Sequence, residues 1–248
     1  MLPFSEKSRD LLVRRFGIEK DRPIVIHPGV EDRFFQPRPA PQPSGSGGPL
    51  RLLTVARLDA RNRRKNVDGV LRAIALLGAE PDIRYTVVGE GADKPRLEGL
   101  ARELGIADRV RFTGRLDQSD ILAAYREADL FVLAAKASAT DVEGFGIVYV
   151  EANASGVPVL CSRSGGAVDA VRHGETGILI EDADPESIAD GIRAFRDGRH
   201  AFDPVRIASH AENFRWRSVA DKVEKTLLAI AGERSGLNAH RLDSMEAL

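Results

Sequence analysis

The chain has 248 residues, of which 43% are apolar, and 36 Lys+Arg stand against 37 Asp+Glu for a net charge of −1. That is room for one large domain, or one domain and a fragment, with enough apolar content for a core, so wholesale disorder is excluded. The balanced charge leaves no basic surplus to release counterions from a polyanion, which excludes broad electrostatic binding of nucleic acid and leaves at most a peripheral association with membrane.

In chain order, residues 4–16 read as a short helix with an apolar stripe of Leu11, Leu12 and Phe16, stopped by Gly17. A short strand is expected at 23–27 (PIVIH), ending in the turn Pro28-Gly29. Residues 37–49 lie in QPRPAPQPSGSGGP, whose Pro, Gly and Ser content reads as a linker or mobile loop. Apolar runs of strand length then recur at 51–56, 84–88, 109–113, 130–134, 157–161 and 177–180, with helical stretches between them. Residues 66–77 place Val67, Val70, Leu71, Ile74 and Leu77 on one helical face. Residues 184–197 open on Asp184-Pro185-Glu186, an N-cap candidate, a Pro at the first helical position and an acid at the positive helix end. Further helices are expected at about 203–213 and 216–231, and the polar segment 232–248 reads as a flexible tail. Six short strands alternating with helices predict an α/β fold, a Rossmann-like doubly wound parallel sheet with helices on both faces. In such sheets ligands sit at the carboxyl ends of the strands, so the loops after the strands carry the function.

The loop after 51–56 runs from Arg57 to Asn66 and holds five cations in nine residues just before a helix. It suits a diphosphate, and on its own it equally reads as a solvated basic loop. Val88-Gly89-Glu90-Gly91 begins a G-x-G-x-x-G, but Lys94 stands at the sixth position, so the dinucleotide fingerprint is not met and a tight strand-to-helix turn is the plainer reading. After 130–134 the chain reaches Glu143-Gly144-Phe145-Gly146-Ile147, with Glu151 further on. A helix starting near Gly146 would offer bare backbone N–H groups to an anion, with a carboxylate at either end of the segment suited to ligand hydroxyls. Two surface glutamates flanking a glycine turn is the competing reading. Ser162-Arg163-Ser164-Gly165-Gly166 follows 157–161 and fits either a close backbone approach or a plain turn.

Together these loops resemble the nucleotide-sugar-binding half of a retaining GT-B glycosyltransferase of family 4. The resemblance is carried by Arg57-Leu58 with Lys65-Asn66, Gly89-Glu90-Gly91, Phe112-Thr113-Gly114, Glu143-Gly144-Phe145-Gly146 with Glu151 eight positions after Glu143, Gly156-Val157-Pro158-Val159, Gly165-Gly166 and Gly174-Glu175-Thr176-Gly177. It runs from about residue 51 to 231, and the segment EGFGIVYVEA is similar to bacterial phosphatidylinositol mannosyltransferases. The resemblance implies transfer of a hexose from a nucleotide-diphosphate sugar, GDP-mannose or a UDP-sugar, with retention and without a metal or other cofactor. Arg57 and Lys65 would hold the diphosphate, Glu143 would face the sugar hydroxyls, and the backbone of Gly144, Phe145, Gly146 and Ile147 would hold sugar and phosphate. Glu151 would bind the ribose, and the backbone around Arg115-Leu116 would meet the base, with Gly89 and Gly91 also on the donor side. Ala134-Ala135 and Asn153 depart from the family's usual Pro-Ser and Met or Ala.

The same resemblance makes residues 1–36 the end of an N-terminal acceptor domain, 50–231 the donor domain, and His27 a hinge residue. It implies a missing acceptor-domain chain as a partner, and glycolipid or cell-surface polysaccharide synthesis in the cytoplasm at the inner face of the membrane. A nucleotide-sugar-binding module or truncated gene product, inactive alone, is the alternative. A nucleotide-sugar epimerase on the same architecture fits the two-glutamate spacing less well. Among the remaining residues, Cys161 reads as a buried inert thiol, since one cysteine allows neither a disulfide nor a thiolate cluster. Trp216 reads as a packing anchor, Lys136 as a solvated lysine, and His173 as a helix C-terminal cap.

Overall fold

The computed structural model describes residues 2–36, 48–61, 63–78, 82–136 and 144–246, with side chains as far as 232. Six strands, β1 (Leu50–Val55), β2 (Ile83–Val88), β3 (Val110–Gly114), β4 (Leu130–Leu133), β5 (Val159–Ser162) and β6 (Gly177–Ile180), form one parallel sheet in the order β3-β2-β1-β4-β5-β6. Each strand lies within two residues of its sequence expectation. The cause is direct: β4 and β5 are buried at every position, so they must be short continuous apolar runs. Thr54 in β1 and Ser162 in β5 are buried polar exceptions, and their hydroxyls are satisfied by the Tyr85 hydroxyl at 2.7 Å and the Ala135 carbonyl at 2.6 Å.

The helices are α1 (Glu6–Phe16), α2 (Val67–Leu76), α3 (Lys94–Glu103), α4 (Gln118–Glu127), α5 (Ile147–Ala154), α6 (Ala167–Ala170), α7 (Pro185–Arg196), α8 (Pro204–Ala211) and α9 (Trp216–Glu246). One face of the sheet is covered by α2, α3 and α7, through Leu71, Ile74, Leu97, Ile188 and Ile192. The other is covered by α4, α5, α6 and α8, through Tyr125, Tyr149, Val150 and Ala170. The caps follow the sequence signals. Ser5 accepts the Ser8 N–H, Gly17 closes α1 at φ 62°, and Asp184 accepts the Ser187 N–H ahead of Pro185.

Three expectations are corrected. Residues 23–27 form no strand; Val25 and Ile26 are buried, but the segment makes a single backbone bond, from the Ile26 N–H to the Pro3 carbonyl, where a strand needs a ladder. The last helix does not stop at 231 but runs to Glu246, because this stretch contains no proline and local helical bonding needs no apolar stripe. His173 caps no helix, since α6 already ends at Ala170; its Nδ1 accepts the Leu179 N–H at 3.0 Å. Trp216 is 54% exposed, yet a Cβ on Gly29 would fall 2.4 Å from its ring, so one edge of the indole does pack on the turn at Gly29. Cys161 is buried and unbridged.

Candidate functional site

The strand order reverses between β1 and β4. The chain leaves β1 for α2 on one face and leaves β4 for α5 on the other, which opens a crevice at their carboxyl ends. The loops after these two strands are joined there. The Lys136 N–H donates to the Arg64 carbonyl at 2.8 Å, and the Asn66 side-chain amide donates to the Ala134 carbonyl at 3.0 Å. The same amide reaches the Ala183 carbonyl at 2.7 Å, tying in the loop after β6. Asn66 is buried and sits in left-handed backbone at φ 55°, the only non-glycine residue with positive φ among the described residues. That conformation explains why Asn or Gly suits this position.

The basic loop is held from below. The Ala56 N–H bonds to the Val88 carbonyl, the Leu58 N–H to Glu90 and the Asp93 N–H back to Leu58, at 2.9–3.1 Å. Gly89 and Gly91 have φ of 140° and 152°, and a Cβ on either would fall 1.9 Å from the carbonyl oxygen of Ala56 or Leu58. The glycines therefore let the loops after β1 and β2 touch. Ala56 and Leu58 are buried while Arg57 between them is exposed, so alternation turns Arg57 outward over the edge of the sheet. Lys65 is half-buried at the end of a short 3-10 turn, Arg63–Lys65. Arg63 leans on Asp93 at 3.4 Å, beside the paired Arg96–Asp93 contacts, so it serves the loop's own structure.

Beyond β4 Ala134 and Ala135 act through their carbonyls: Ala135 accepts the Ser162 hydroxyl at 2.6 Å. Glu143 lies outside the described residues. Gly144 is exposed and borders open space, whereas Gly146 caps α5 at φ 81° and a Cβ there would strike the Tyr149 ring at 2.2 Å. The Phe145 ring is buried, stacked on His27 at 5.0 Å and beside Phe214 at 5.4 Å. It anchors the loop, so only its backbone can face a ligand. Ile147 is 37% exposed at the start of α5. Gly166 supports the same segment, since a Cβ there would fall 2.3 Å from the Gly144 carbonyl. His27 Nε2 lies 3.3 Å from Asp169, which also accepts the Glu6 N–H at 2.7 Å, so it fastens the N-terminal segment to α6.

Glu151 lies one turn into α5. Its Oε2 accepts the hydroxyl of Tyr125, a fully buried residue of α4, at 2.8 Å. Burial pushes the Glu151 carboxyl above its ordinary range, the Tyr125 hydrogen bond opposes this, and Glu31 and Arg33 act on it in opposite senses. Arg115 is exposed and Leu116 half-buried at the end of β3. Arg57, Lys65, Gly89, Gly91, Arg115, Leu116 and Gly144 to Ile147 thus all stand in the connections that follow strands, at the same carboxyl edge of the sheet. Sequence reasoning missed Tyr125, whose contact with Glu151 is made only by the packing of α4 on α5, and the role of Asn66. Asn153 proves structural: its amide bonds the Val157 and Thr176 carbonyls, both at 3.0 Å. One Asp-x-Asp is present, Asp182-Ala183-Asp184, but Asp184 is engaged in capping α7. Among the described residues no three His, Cys, Asp or Glu gather as metal ligands, and no helix is long and apolar enough to cross a membrane.

This crevice, with cations after β1 and open glycine backbone after β4, is that of a doubly wound nucleotide-binding fold. The profile of the family Glycosyl transferases group 1 matches residues 40–212, and the chain belongs to that family. It is 35% identical over 237 residues to a D-inositol 3-phosphate glycosyltransferase of Streptomyces coelicolor, covering 85% of this chain and 51% of that protein. It is 33% identical over 232 residues to the protein of that name from Corynebacterium diphtheriae, covering 88% and 53%. The chain thus spans about half the length of these curated relatives. The fold is that of the lipopolysaccharide outer core galactosyltransferase WaaB (TM-score 0.78, 20% identity, 92% of this chain and 61% of that one). Anabaena Alr3699/HepE, solved in complex with UDP, shares it too (TM-score 0.76, 22% identity, 92% and 63%).

Proposed function

We propose that this chain is the donor half of a retaining, metal-independent glycosyltransferase that takes a hexose from a nucleotide-diphosphate sugar. The observation that carries the reading is the bond from the Lys136 N–H to the Arg64 carbonyl, which joins the basic loop to the loop leading to α5 at the point where the strand order reverses. Arg57 and Lys65 supply positive charge to the diphosphate as the bond between the anomeric carbon and the phosphate oxygen breaks and the leaving group takes the electron pair. Fixed charges and backbone N–H groups aimed at that developing charge lower the barrier without reorganising. Glu143 orients the sugar hydroxyls, and Glu151 accepts from the ribose with the oxygen that Tyr125 leaves open. The backbone at Arg115-Leu116 meets the base. Relatives solved with UDP and UDP-glucose favour a UDP-sugar over GDP-mannose.

The acceptor is a hydroxyl-bearing molecule of glycolipid or cell-surface polysaccharide synthesis, handled in the cytoplasm with at most peripheral contact at the inner face of the membrane. A separate acceptor-domain chain would complete the cleft. The second reading is a nucleotide-sugar-binding module without turnover of its own. Calorimetry of the chain with UDP, GDP and their sugar conjugates tests both. Binding that drops at least tenfold in the double variant Arg57→Ala, Lys65→Ala supports the donor site, and no binding by the folded chain refutes it. Release or transfer of sugar by the chain alone refutes the second reading.

A further inference from the structure

The segment from His27 to Phe35 lies outside the sheet, yet it grips the donor side of the molecule at two places. It is itself fixed to the chain at the start of α9. The Val30 N–H donates to the Phe214 carbonyl at 2.7 Å, and Arg215 reaches Asp32 at 2.7 Å with its guanidinium 4.0 Å over the Phe35 ring. Val30 and Phe34 are buried in the same core as Tyr125, Phe145 and Tyr149. The segment is thus a strap, tied at one side and bearing on the site with the other.

The first grip is on Gly144-Phe145-Gly146. Phe145 carries the one side chain of these three residues, and among the described residues the N–H groups of Gly144 to Ile147 meet no acceptor. Hydrogen bonds from these amides therefore do not hold the segment, and the Phe145 ring must. His27 stacks on that ring at 5.0 Å with 26° between the planes, and Phe214 stands edge-on to His27 at 5.5 Å. His27 is seated in turn. Its Nε2 lies 3.3 Å from Oδ2 of Asp169, the oxygen that also accepts the Glu6 N–H at 2.7 Å, and the Asp169 side chain is only 8% exposed. A hydrogen bond is directional where an aliphatic contact is not, so this seat fixes where the imidazole lies and hence where Phe145 rests.

The second grip is on the Tyr125–Glu151 pair. The Phe34 ring meets the Tyr125 ring edge to face at 5.7 Å, and the Phe34 carbonyl accepts the Ser155 hydroxyl, just past the end of α5, at 3.4 Å. We propose that His27 and Phe34 are positioning residues: through them the strap sets the backbone of Gly144 to Ile147 for the sugar and phosphate, and the Tyr125–Glu151 pair for the ribose. Donors displaced by a fraction of an ångström lose much of their effect, so nucleotide-sugar affinity depends on a segment that touches no ligand. This role rests on the donor-site reading above, while the positioning itself is measured without ligand.

The test uses the full chain, first alone and then with UDP-glucose and with uridine. By NMR relaxation the Phe145 and Gly146 amides should have order parameters of about 0.85 in the parent and below about 0.6 in His27→Ala, with Ala152 and Ala154 of α5 unchanged. In titrations His27→Ala should weaken UDP-glucose roughly tenfold and uridine less than about twofold, because this grip serves sugar and phosphate. Phe34→Leu, which keeps an apolar body and removes the ring contact, should weaken uridine roughly threefold. His27→Phe keeps the stack and should recover the order and all but about threefold of the UDP-glucose affinity, which general destabilisation would not give. His27→Leu, which fills the place without a stacking ring, carries the same comparison if the alanine variant does not fold. Parent-like order and UDP-glucose affinity in a folded His27→Ala or His27→Leu chain overturn the proposal, as does an equal loss of uridine and UDP-glucose, or no recovery in His27→Phe. Unchanged uridine affinity in Phe34→Leu removes the second grip. Failure of the donor reading is distinct: the parent then binds neither ligand, and the order parameters alone decide whether His27 positions the segment.

Discussion

The Tyr125 hydroxyl donates to Oε2 of Glu151 at 2.8 Å, joining the fully buried tyrosine of α4 to the one carboxylate of α5. The bond fixes one oxygen and leaves the other for a ligand. Glu151→Gln keeps an acceptor for Tyr125 and removes a charge from a poorly solvated place. Its stability should lie within about 1 kcal/mol of the parent at neutral pH, while its affinity for UDP falls roughly tenfold through loss of a charge-assisted bond. Tyr125→Phe should instead cost about 2 kcal/mol of stability, because it strips a buried carboxylate of its donor. Urea denaturation and calorimetry on both variants separate the two effects.

The raised Glu151 pKa has two pH consequences of opposite sense. The folded chain holds a proton on this carboxyl at a pH where the unfolded chain has released it. Its contribution to stability is therefore fully present below the ordinary glutamate range and is lost as pH rises through the raised value. On the proposed ribose contact the ionised form is the acceptor, so UDP affinity should fall as pH drops through that same value. In Glu151→Gln both dependences should flatten. Denaturation and binding measured across mildly acidic to neutral pH check this.

Two glycines of the site should respond in opposite ways to alanine. At Gly89 a Cβ would meet the Ala56 carbonyl oxygen at 1.9 Å with φ at 140°, so Gly89→Ala should destabilise the chain by about 3 kcal/mol or prevent folding. At Gly144 nothing lies within 4 Å of the added carbon and φ is not positive, so Gly144→Ala should change stability by less than about 0.5 kcal/mol. Any loss in that variant should appear only in nucleotide-sugar binding. Thermal melts with and without UDP distinguish the cases.

At Asn66, backbone conformation and side-chain bonding can be separated. Asn66→Gly keeps the left-handed φ and loses the bonds to Ala134 and Ala183, a cost of about 2 kcal/mol for two buried carbonyls. Asn66→Ala loses the same bonds and adds about 1 kcal/mol of backbone strain. The order of stability should be parent, glycine, alanine, as read from denaturation midpoints.

The strands were legible in the sequence because burial on both faces demands uninterrupted apolar runs, as at Leu130–Leu133. Helix ends were legible where a residue type marks them, as at Gly17 and Asp184. The segment 23–27 was misread because β-type composition does not supply a pairing partner. In α1 the sequence marks an apolar stripe but not what covers it, and Leu11 and Phe16 are 45% and 64% exposed. Gly89 and Gly91 read in the sequence as a tight strand-to-helix turn, and only the fold reveals that they admit the protein's own loop after β1. Tyr125 was invisible because it meets Glu151 across two helices, from 26 positions away.

The clasp between the loops after β1 and β2 separates course from chemistry. Its bonds run through main-chain atoms, at Ala56, Leu58, Val88 and Glu90, so the path of the loop does not depend on what Arg57 carries. Outward side chains on such a rail can be exchanged for others with little cost to folding, and a lineage holding this scaffold can try new leaving groups by altering one protruding residue at a time.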